Sequence, residues 1–242
     1  MRAMVLAAGL GTRLRPLTND RPKALVEIAG RTLLEITLAR LREFGIHDVI
    51  VNAHHFADKL VRYLEAHHNF GMNLEVSRED VLLDTGGGLK KAAHFFQHTD
   101  EPFLLHNVDI LSTIDLGRMA QSHRESGALT TLAVQDRKTS RYLLFDGRLQ
   151  LCGRRIDADE IVRTVASPKA LAFAGIHVIS PRIFERISED EIFSIIDVYL
   201  RLAHEGERIV GFRADEYYWR DVGKPESIAR AEKDIESGIL SV

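Results

Sequence analysis

The sequence has almost no cysteine, no surplus of basic charge and no long apolar run. Cys152 is the only cysteine among 242 residues, which excludes an intrachain disulfide and a cysteine-rich zinc site. The formal net charge of −3 argues against a dedicated nucleic-acid-binding protein, for which a basic surplus is expected. Neither an apolar run of about 18 residues, the length of a membrane span, nor an N-terminal signal peptide is found. We therefore expect a cytoplasmic protein that binds neither nucleic acid nor membrane.

Short apolar segments alternate with amphipathic segments over residues 1–135. The apolar segments at 4–8, 48–53 and 129–134 predict buried strands, and Thr32 is a predicted N-cap for a helix. Strands that alternate with helices indicate βαβ units around a parallel sheet that is covered on both faces. We predict an α/β fold, a Rossmann-like three-layer sandwich with a mostly parallel central sheet.

The last third of the chain departs from this alternation. Two short apolar runs flank Asp146 and Gly147 and predict a β-hairpin, and Pro225 predicts the start of the last helix. No low-complexity linker and no internal repeat divides the sequence. We therefore predict a single domain over residues 1–242.

The first candidate site is the segment LAAGLGTRLRPLT at residues 6–18, where Gly9 and Gly11 follow a predicted strand. Leu14 stands where a dinucleotide-binding fingerprint requires its third glycine, and Pro16 interrupts any helix that would start there. A P-loop is excluded as well, because no Gly-Lys-Ser/Thr follows the glycines. The segment is therefore predicted to be a long, irregular loop that differs from both standard nucleotide-binding loops.

Four cations lie on or beside this loop within eleven residues: Arg13, Arg15, Arg21 and Lys23. Cations on a glycine-rich loop suit a triphosphate, because the charge of its leaving group must be neutralised. The alternative interpretation is a tight turn with solvated arginines.

Three later segments carry further candidates. Gly86 and Gly87 belong to a run of three glycines before a predicted helix, which indicates either a flexible loop or a backbone that a ligand approaches closely. Asp109 follows a buried strand, where it is either a common turn former or a ligand for Mg²⁺ at the carboxyl edge of the sheet. Asp221 lies between an aromatic cluster and a Gly-x-Pro turn, which favours a fixed carboxylate.

Taken in order, the four segments resemble the sugar-phosphate nucleotidylyltransferases (NDP-sugar pyrophosphorylases). That family's opening signature is similar to LAAGLGTRLRPLT…PKAL, its second loop to DTGGG, its metal-binding aspartate to NVD and its late element to WRDVGKPE. The resemblance spans nearly the whole chain. The triple glycine and the short length look most like the N-acetylmuramate-α-1-phosphate uridylyltransferase branch, with mannose- and heptose-1-phosphate guanylyltransferases as close neighbours.

The resemblance implies that a sugar 1-phosphate attacks the α-phosphorus of a nucleoside triphosphate (NTP) and that pyrophosphate leaves. It implies that Arg13 faces the β- and γ-phosphates and that Lys23 binds phosphate nearer the reacting centre. It further implies that Asp109 and Asp221 hold Mg²⁺, the expected cofactor. The residues that it assigns to nucleotide or substrate binding are Leu6, Ala8, Gly9, Gly11, Thr12, Gly86, Gly87, Asn107 and Gly175.

The chain departs from the family where many members contact the sugar. Residues 140–155 lack the Tyr-Gly and Glu-Lys-Pro motifs, and Arg154 and Arg155 are the alternatives for the missing lysine. We expect a nucleotide-binding core at 1–135, a sugar-binding and C-terminal elaboration at 136–242, and a monomer or small homo-oligomer. The expected substrates are UTP and an N-acetylated amino-sugar 1-phosphate such as N-acetylmuramate (MurNAc) 1-phosphate. The alternatives are a GTP-dependent mannose- or heptose-1-phosphate guanylyltransferase, a cytidylyltransferase acting on phosphocholine, and a catalytically silent nucleotide-binding homologue.

Overall fold

The computed structural model describes residues 1–97 and 99–240. Its strands are β1 (Ala3–Leu6), β2 (Glu27–Ile28), β3 (Arg31–Thr32), β4 (Asp48–Ala53), β5 (Asn73–Arg78), β6 (Phe103–Asn107), β7 (Ile110–Ser112), β8 (Thr130–Gln135), β9 (Tyr142–Phe145), β10 (Leu151–Arg155), β11 (Asp159–Ile161), β12 (Lys169–Ile179), β13 (Ile209–Arg213) and β14 (Trp219–Asp221). Its α-helices are α1 (Leu33–Glu43), α2 (Ala57–Ala66), α3 (Asp84–Lys91), α4 (Leu116–Ser126), α5 (Ile195–His204) and α6 (Pro225–Glu236).

Contacts along the chain group it into two compact units. The first unit comprises Met1–Leu82, His106–Ile114 and Tyr217–Val242. The second unit comprises Leu83–Leu105 and Asp115–Glu216. The expectation of a single domain that divides near residue 135 stays a prediction.

Three parallel strands form the framework of the first unit. β1 pairs with β4 from Ala3 opposite Val49 onwards, and β4 pairs with β5. α1 separates β1 from β4 in the chain and begins as predicted, because the Thr32 hydroxyl accepts a hydrogen bond from the Glu35 N–H at 3.1 Å. All of β4 beyond its first residue is buried, as expected for a strand of a parallel sheet. The predicted βαβ organisation of this part of the chain is confirmed.

The second unit is built on mixed pairing. β12 lies antiparallel to β8 and β9, while β13 lies parallel to β8. The predicted hairpin is confirmed as β9 and β10, and the Asp146 carboxylate accepts from the Arg148 and Gln150 N–H groups at 2.8 and 2.9 Å. Gly175 lies in β12 where the register shifts between Phe173 and His177, and its φ of +76° explains why glycine stands there.

The run of three glycines is helical, so the prediction that this helix begins only after the first glycines is wrong, and so is the alternative of a flexible loop. α3 begins at Asp84, and Gly86, Gly87 and Gly88 are buried inside it. The Gly86 and Gly87 N–H groups donate to the Phe193 carbonyl at 2.9 and 3.3 Å. A Cβ at Gly86 would overlap the Phe193 ring, and a Cβ at Gly87 would lie 2.6 Å from the Glu191 carbonyl oxygen. Close packing against the segment before α5 therefore outweighs the poor helix propensity of glycine.

None of the helices in the described part of the chain has the length and apolar character needed to cross a bilayer.

We expect Gly86→Ala to lower the free energy of unfolding by about 1–2 kcal/mol, because overpacking against the Phe193 ring and carbonyl outweighs the gain in helix propensity. Urea denaturation measures this loss. Gly147→Ala is the matched control, since no atom lies within 4 Å of a Cβ at that position. A Gly86→Ala variant as stable as Gly147→Ala would contradict the packing argument.

Candidate active site

The loop after β1 is closely packed around Gly11, whereas its backbone at Gly9 is exposed. Gly11 has a φ of +64°, and a Cβ there would lie 3.0 Å from the Thr18 Cγ2 atom and 3.1 Å from the Lys23 Cβ atom. The Thr18 hydroxyl also donates to the Gly11 carbonyl at 2.9 Å. Gly9 is exposed, with no atom within 4 Å of a Cβ position. Gly11 is therefore required by the fold of the loop itself, whereas Gly9 leaves the backbone accessible.

Arg13 is presented to solvent by a short turn whose next residue is buried. Thr12–Leu14 form one turn of 3₁₀ helix in which Leu14 is completely buried while Thr12 and Arg13 stay exposed. Lys23 begins a second such turn, Lys23–Leu25, where Ala24 and Leu25 are buried. The Arg13 and Lys23 side chains therefore extend from turns that are held in place by buried apolar residues next to them in the chain.

A buried amide that was not among the predicted site residues holds the backbone at the start of the loop. Asn52 accepts hydrogen bonds from the Ala7 and Ala8 N–H groups through Oδ1, at 2.7 and 3.3 Å. Its Nδ2 donates to the Glu79 carboxylate at 2.7 Å, which sets the orientation of the amide. Asn52 and Glu79 are only 3% and 4% exposed. A lone asparagine in the apolar segment DVIVNA was the signal that could have revealed it.

Strand pairing brings the two predicted metal ligands together. β14 lies antiparallel to β7 with Asp221 opposite Ile110, the residue after Asp109. The Val222 N–H donates to the Asp109 carbonyl at 2.9 Å, and the Gly223 N–H donates to Asp221 Oδ1 at 2.7 Å. The backbone therefore positions Asp109 and holds the Asp221 carboxylate.

The four predicted catalytic groups converge in the first unit. Lys23 Nζ donates to Asp109 Oδ2 in an ion pair whose side chains are 14% and 13% exposed. A Cβ at Gly223 would lie 2.8 Å from Asp221 Oδ1, 2.9 Å from Arg13 Nη2 and 3.4 Å from Asp109 Oδ2. Gly223, which was not among the predicted site residues, therefore leaves open the space between both carboxylates and the guanidinium.

The donor set at this space fits Mg²⁺. The described residues contain no group of three or more His, Cys, Asp or Glu side chains placed to hold a metal ion. Mg²⁺ does not need such a group, because it is commonly bound by one or two carboxylates with substrate phosphates and water completing its six ligands. Two carboxylates beside a gap that a single Cβ would fill match this requirement.

The other predicted binding residues of the first unit lie near the ends of β1 and β6. The Leu6 carbonyl accepts from the Val108 N–H at 3.1 Å, so that atom is bonded within the fold. Burial lowers the pKa of His106 to about 4, so the ring is neutral near pH 7. Its Nδ1–H donates to the Asn107 carbonyl at 2.8 Å. The binding roles of Leu6, Ala8 and Asn107 stay predictions.

The remaining candidates belong to the second unit. Gly86, Gly87 and Gly175 are buried there, and their binding roles stay predictions. Both arginines considered for the missing lysine are engaged in ion pairs. Arg154 bonds to Glu160 and Asp197 at 2.6 and 2.5 Å, and Arg155 bonds to Asp159.

Comparison with known proteins identifies the family. The sequence profile described as "Nucleotidyl transferase" matches residues 2–238. The chain belongs to the nucleotidyl transferase family. The N-acetylmuramate alpha-1-phosphate uridylyltransferase of Caulobacter vibrioides is 36% identical over 95% of both chains. A mannose-1-phosphate guanylyltransferase of Mycobacterium tuberculosis is 30% identical over 98% of this chain, which spans 65% of that relative's length.

Solved structures share the fold of this nucleotidyltransferase. A UDP-glucose pyrophosphorylase complexed with UDP-glucose matches with a TM-score of 0.80 and 18% identity over 98% of both chains. HddC from Yersinia pseudotuberculosis, complexed with GMP-PN, matches with a TM-score of 0.77 and 21% identity over 97% of this chain and 99% of HddC. The predicted α/β class with a large, mostly parallel central sheet is confirmed, and so is the resemblance to sugar nucleotidyltransferases.

We expect Asn52→Asp to weaken NTP binding about ten-fold, because it places a second buried carboxylate against Glu79 and disturbs the Ala7–Ala8 backbone. Isothermal titration with an NTP and Mg²⁺ measures this effect. Glu79→Gln is the control, since its amide oxygen still accepts from Asn52. The double variant N52D/E79Q should recover affinity, because the new amide donates to the new carboxylate. A double variant as weak as the single one would refute this positioning role.

Proposed function

We propose that this nucleotidyltransferase transfers UMP from UTP to N-acetylmuramate 1-phosphate and releases pyrophosphate. The observation that carries the proposal is the convergence of Arg13, Lys23, Asp109 and Asp221 beside Gly223 in a chain of this family. The choice of substrates is supported by the Caulobacter vibrioides relative, with which the chain aligns over 95% of both lengths.

The proposed chemistry requires positioning and charge neutralisation more than proton transfer. An oxygen of the sugar 1-phosphate attacks the α-phosphorus in line with the departing pyrophosphate, and it is already anionic at neutral pH. No general base is therefore needed. Arg13 binds the β- and γ-phosphates, and Lys23 binds phosphate nearer the reacting centre. Asp109 and Asp221 would hold Mg²⁺, which would supply further charge neutralisation.

A pocket within the second unit supports an acidic, acylated sugar as the acceptor. It has a volume of about 250 Å³, and its lining includes Arg141, Tyr142, Ile156, Phe173 and Ile196. Ile156 is 50% exposed, although it is a large apolar side chain. N-acetylmuramate carries an acetyl methyl group, a lactyl methyl group and a carboxylate. Apolar walls beside an exposed guanidinium match that combination of groups.

We expect UTP with MurNAc 1-phosphate to give at least about ten-fold higher kcat/KM than any other pairing, because one methyl group that fits an apolar pocket is worth about ten-fold or more in discrimination. Pyrophosphate release is measured for UTP, GTP and CTP against the 1-phosphates of MurNAc, N-acetylglucosamine, glucose, mannose and heptose, and against phosphocholine. A preference for GTP with mannose 1-phosphate would replace the substrate assignment with the one suggested by the Mycobacterium tuberculosis relative. NTP binding without pyrophosphate release from any pairing would contradict the proposed activity.

Asp109→Asn tests the site within the same assay. Loss of a group that stabilises the transition state lowers kcat by about 10²- to 10³-fold, and we expect a loss of this size. Asp157→Asn is the matched control, because this substitution removes the same negative charge from an exposed position of the second unit. Thermal unfolding of both variants shows whether the fold is retained. Full turnover by Asp109→Asn would exclude Asp109 from the reaction.

A further inference from the structure

We propose that Lys23 acts as an internal counter-ion of Asp109, which the metal and the triphosphate displace together. The inference rests on the proposed function and adds a coupling to it. In the free protein Lys23 neutralises the Asp109 carboxylate. When the NTP binds, the ammonium group moves to phosphate and releases a carboxylate oxygen for the metal. Metal binding and triphosphate binding therefore strengthen each other.

The ion pair is both protected and able to open. Only 14% of the Lys23 side chain and 13% of the Asp109 side chain are exposed, so water and salt screen the pair less than a surface pair. The base of the lysine is anchored, since the Lys23 carbonyl accepts from the Val26 N–H at 3.0 Å and a Cβ at Gly11 would lie only 3.1 Å from the Lys23 Cβ atom. Beyond that Cβ the side chain is a flexible alkyl stem, so the ammonium group can move while the backbone stays in place.

A metal ion alone meets two obstacles at this site. One Asp109 oxygen is bonded to the ammonium group, so the ion has to compete for it. Displacing Lys23 without providing another anion leaves an unpaired, poorly solvated ammonium group at a site that already holds a second cation, because the Arg13 guanidinium borders the space at Gly223. The two carboxylates and two cations balance before metal binding, so a divalent ion alone adds an uncompensated double positive charge.

A triphosphate removes both obstacles. Its oxygens provide ligands for the metal and anionic partners for Lys23 and Arg13, so the displaced ammonium group remains paired. The difference between metal affinity with and without the triphosphate is a coupling free energy, and thermodynamic linkage makes it reciprocal. A variant that lacks the Lys23 ammonium group should lose most of this coupling, because its Asp109 carboxylate is available to the metal even without the triphosphate.

Mn²⁺ titration followed by electron paramagnetic resonance tests the inference in the absence of turnover. In free protein without nucleotide, Lys23→Met should bind Mn²⁺ about ten-fold more tightly than wild type. Lys23→Gln should change the affinity in the same direction, and thermal unfolding shows that both variants are folded. A UTP analogue with a non-cleavable α,β bond should strengthen Mn²⁺ binding more in wild type than in Lys23→Met, after correction for the metal chelated by free analogue.

Two control variants separate the ion pair from general charge effects. Lys59→Met removes the same charge from an exposed position of the first unit and should leave Mn²⁺ affinity within about two-fold, because screening weakens distant charges. Asp109→Asn should abolish the tight Mn²⁺ signal. Equal affinity in Lys23→Met and wild type, equal tightening by Lys59→Met, or Mn²⁺ binding that survives Asp109→Asn would each overturn the inference.

The Mn²⁺ titration and the pyrophosphate assay together distinguish failure of this coupling from failure of the proposed function. Pyrophosphate release by wild type combined with unchanged Mn²⁺ affinity in Lys23→Met would reject the coupling and keep the enzyme. Tighter Mn²⁺ binding by Lys23→Met with no pyrophosphate release from any substrate pairing would keep the coupling and reject the proposed activity.

Discussion

The antiparallel pairing of β7 with β14 is the constraint on which the candidate active site depends. It places Asp221 opposite Ile110, next in sequence to Asp109, although the two aspartates are far apart in the chain. The bond from the Val222 N–H to the Asp109 carbonyl continues that pairing beyond the end of β14. Without it there would be one carboxylate near Arg13 and Lys23, and the two positive charges would lack balance. A backbone interaction therefore determines the electrostatics of the site.

Charge balance explains how four charged side chains can lie close together in the candidate site. Lys23 and Asp109 neutralise one another in the described structure, so neither is left as an isolated charge in a mostly buried position. Gly223 keeps the space beside Arg13 and Asp221 free of a side chain. Asn52 acts at the start of the loop, where its amide oxygen accepts hydrogen bonds from the two N–H groups just before Gly9. The site is thus defined by backbone and amide contacts as much as by its charged groups.

Short sequence patterns predicted the elements that interactions between nearby residues stabilise, such as the helix capped by Thr32 and the hairpin at Asp146. Family motifs selected the residues that converge in the first unit. Contacts between distant segments were not predictable, because no local pattern records them. The glycine run at 86–88 lies in a helix whose close packing against the Phe193 segment leaves room only for glycine. The role of Asn52 depends on Glu79, which lies more than 25 residues away in the chain. The role of Gly223 depends on its lack of a side chain.

In the proposed reaction these groups promote one direct displacement at the α-phosphorus, with no covalent enzyme intermediate. The most direct measurement is the stereochemical course of the reaction with the Sp α-thio analogue of the preferred NTP, read by ³¹P NMR of the NDP-sugar. We expect inversion of configuration at the α-phosphorus, as a single in-line attack by the sugar phosphate requires. Retention would show two successive displacements through a nucleotidylated side chain and would contradict a direct displacement.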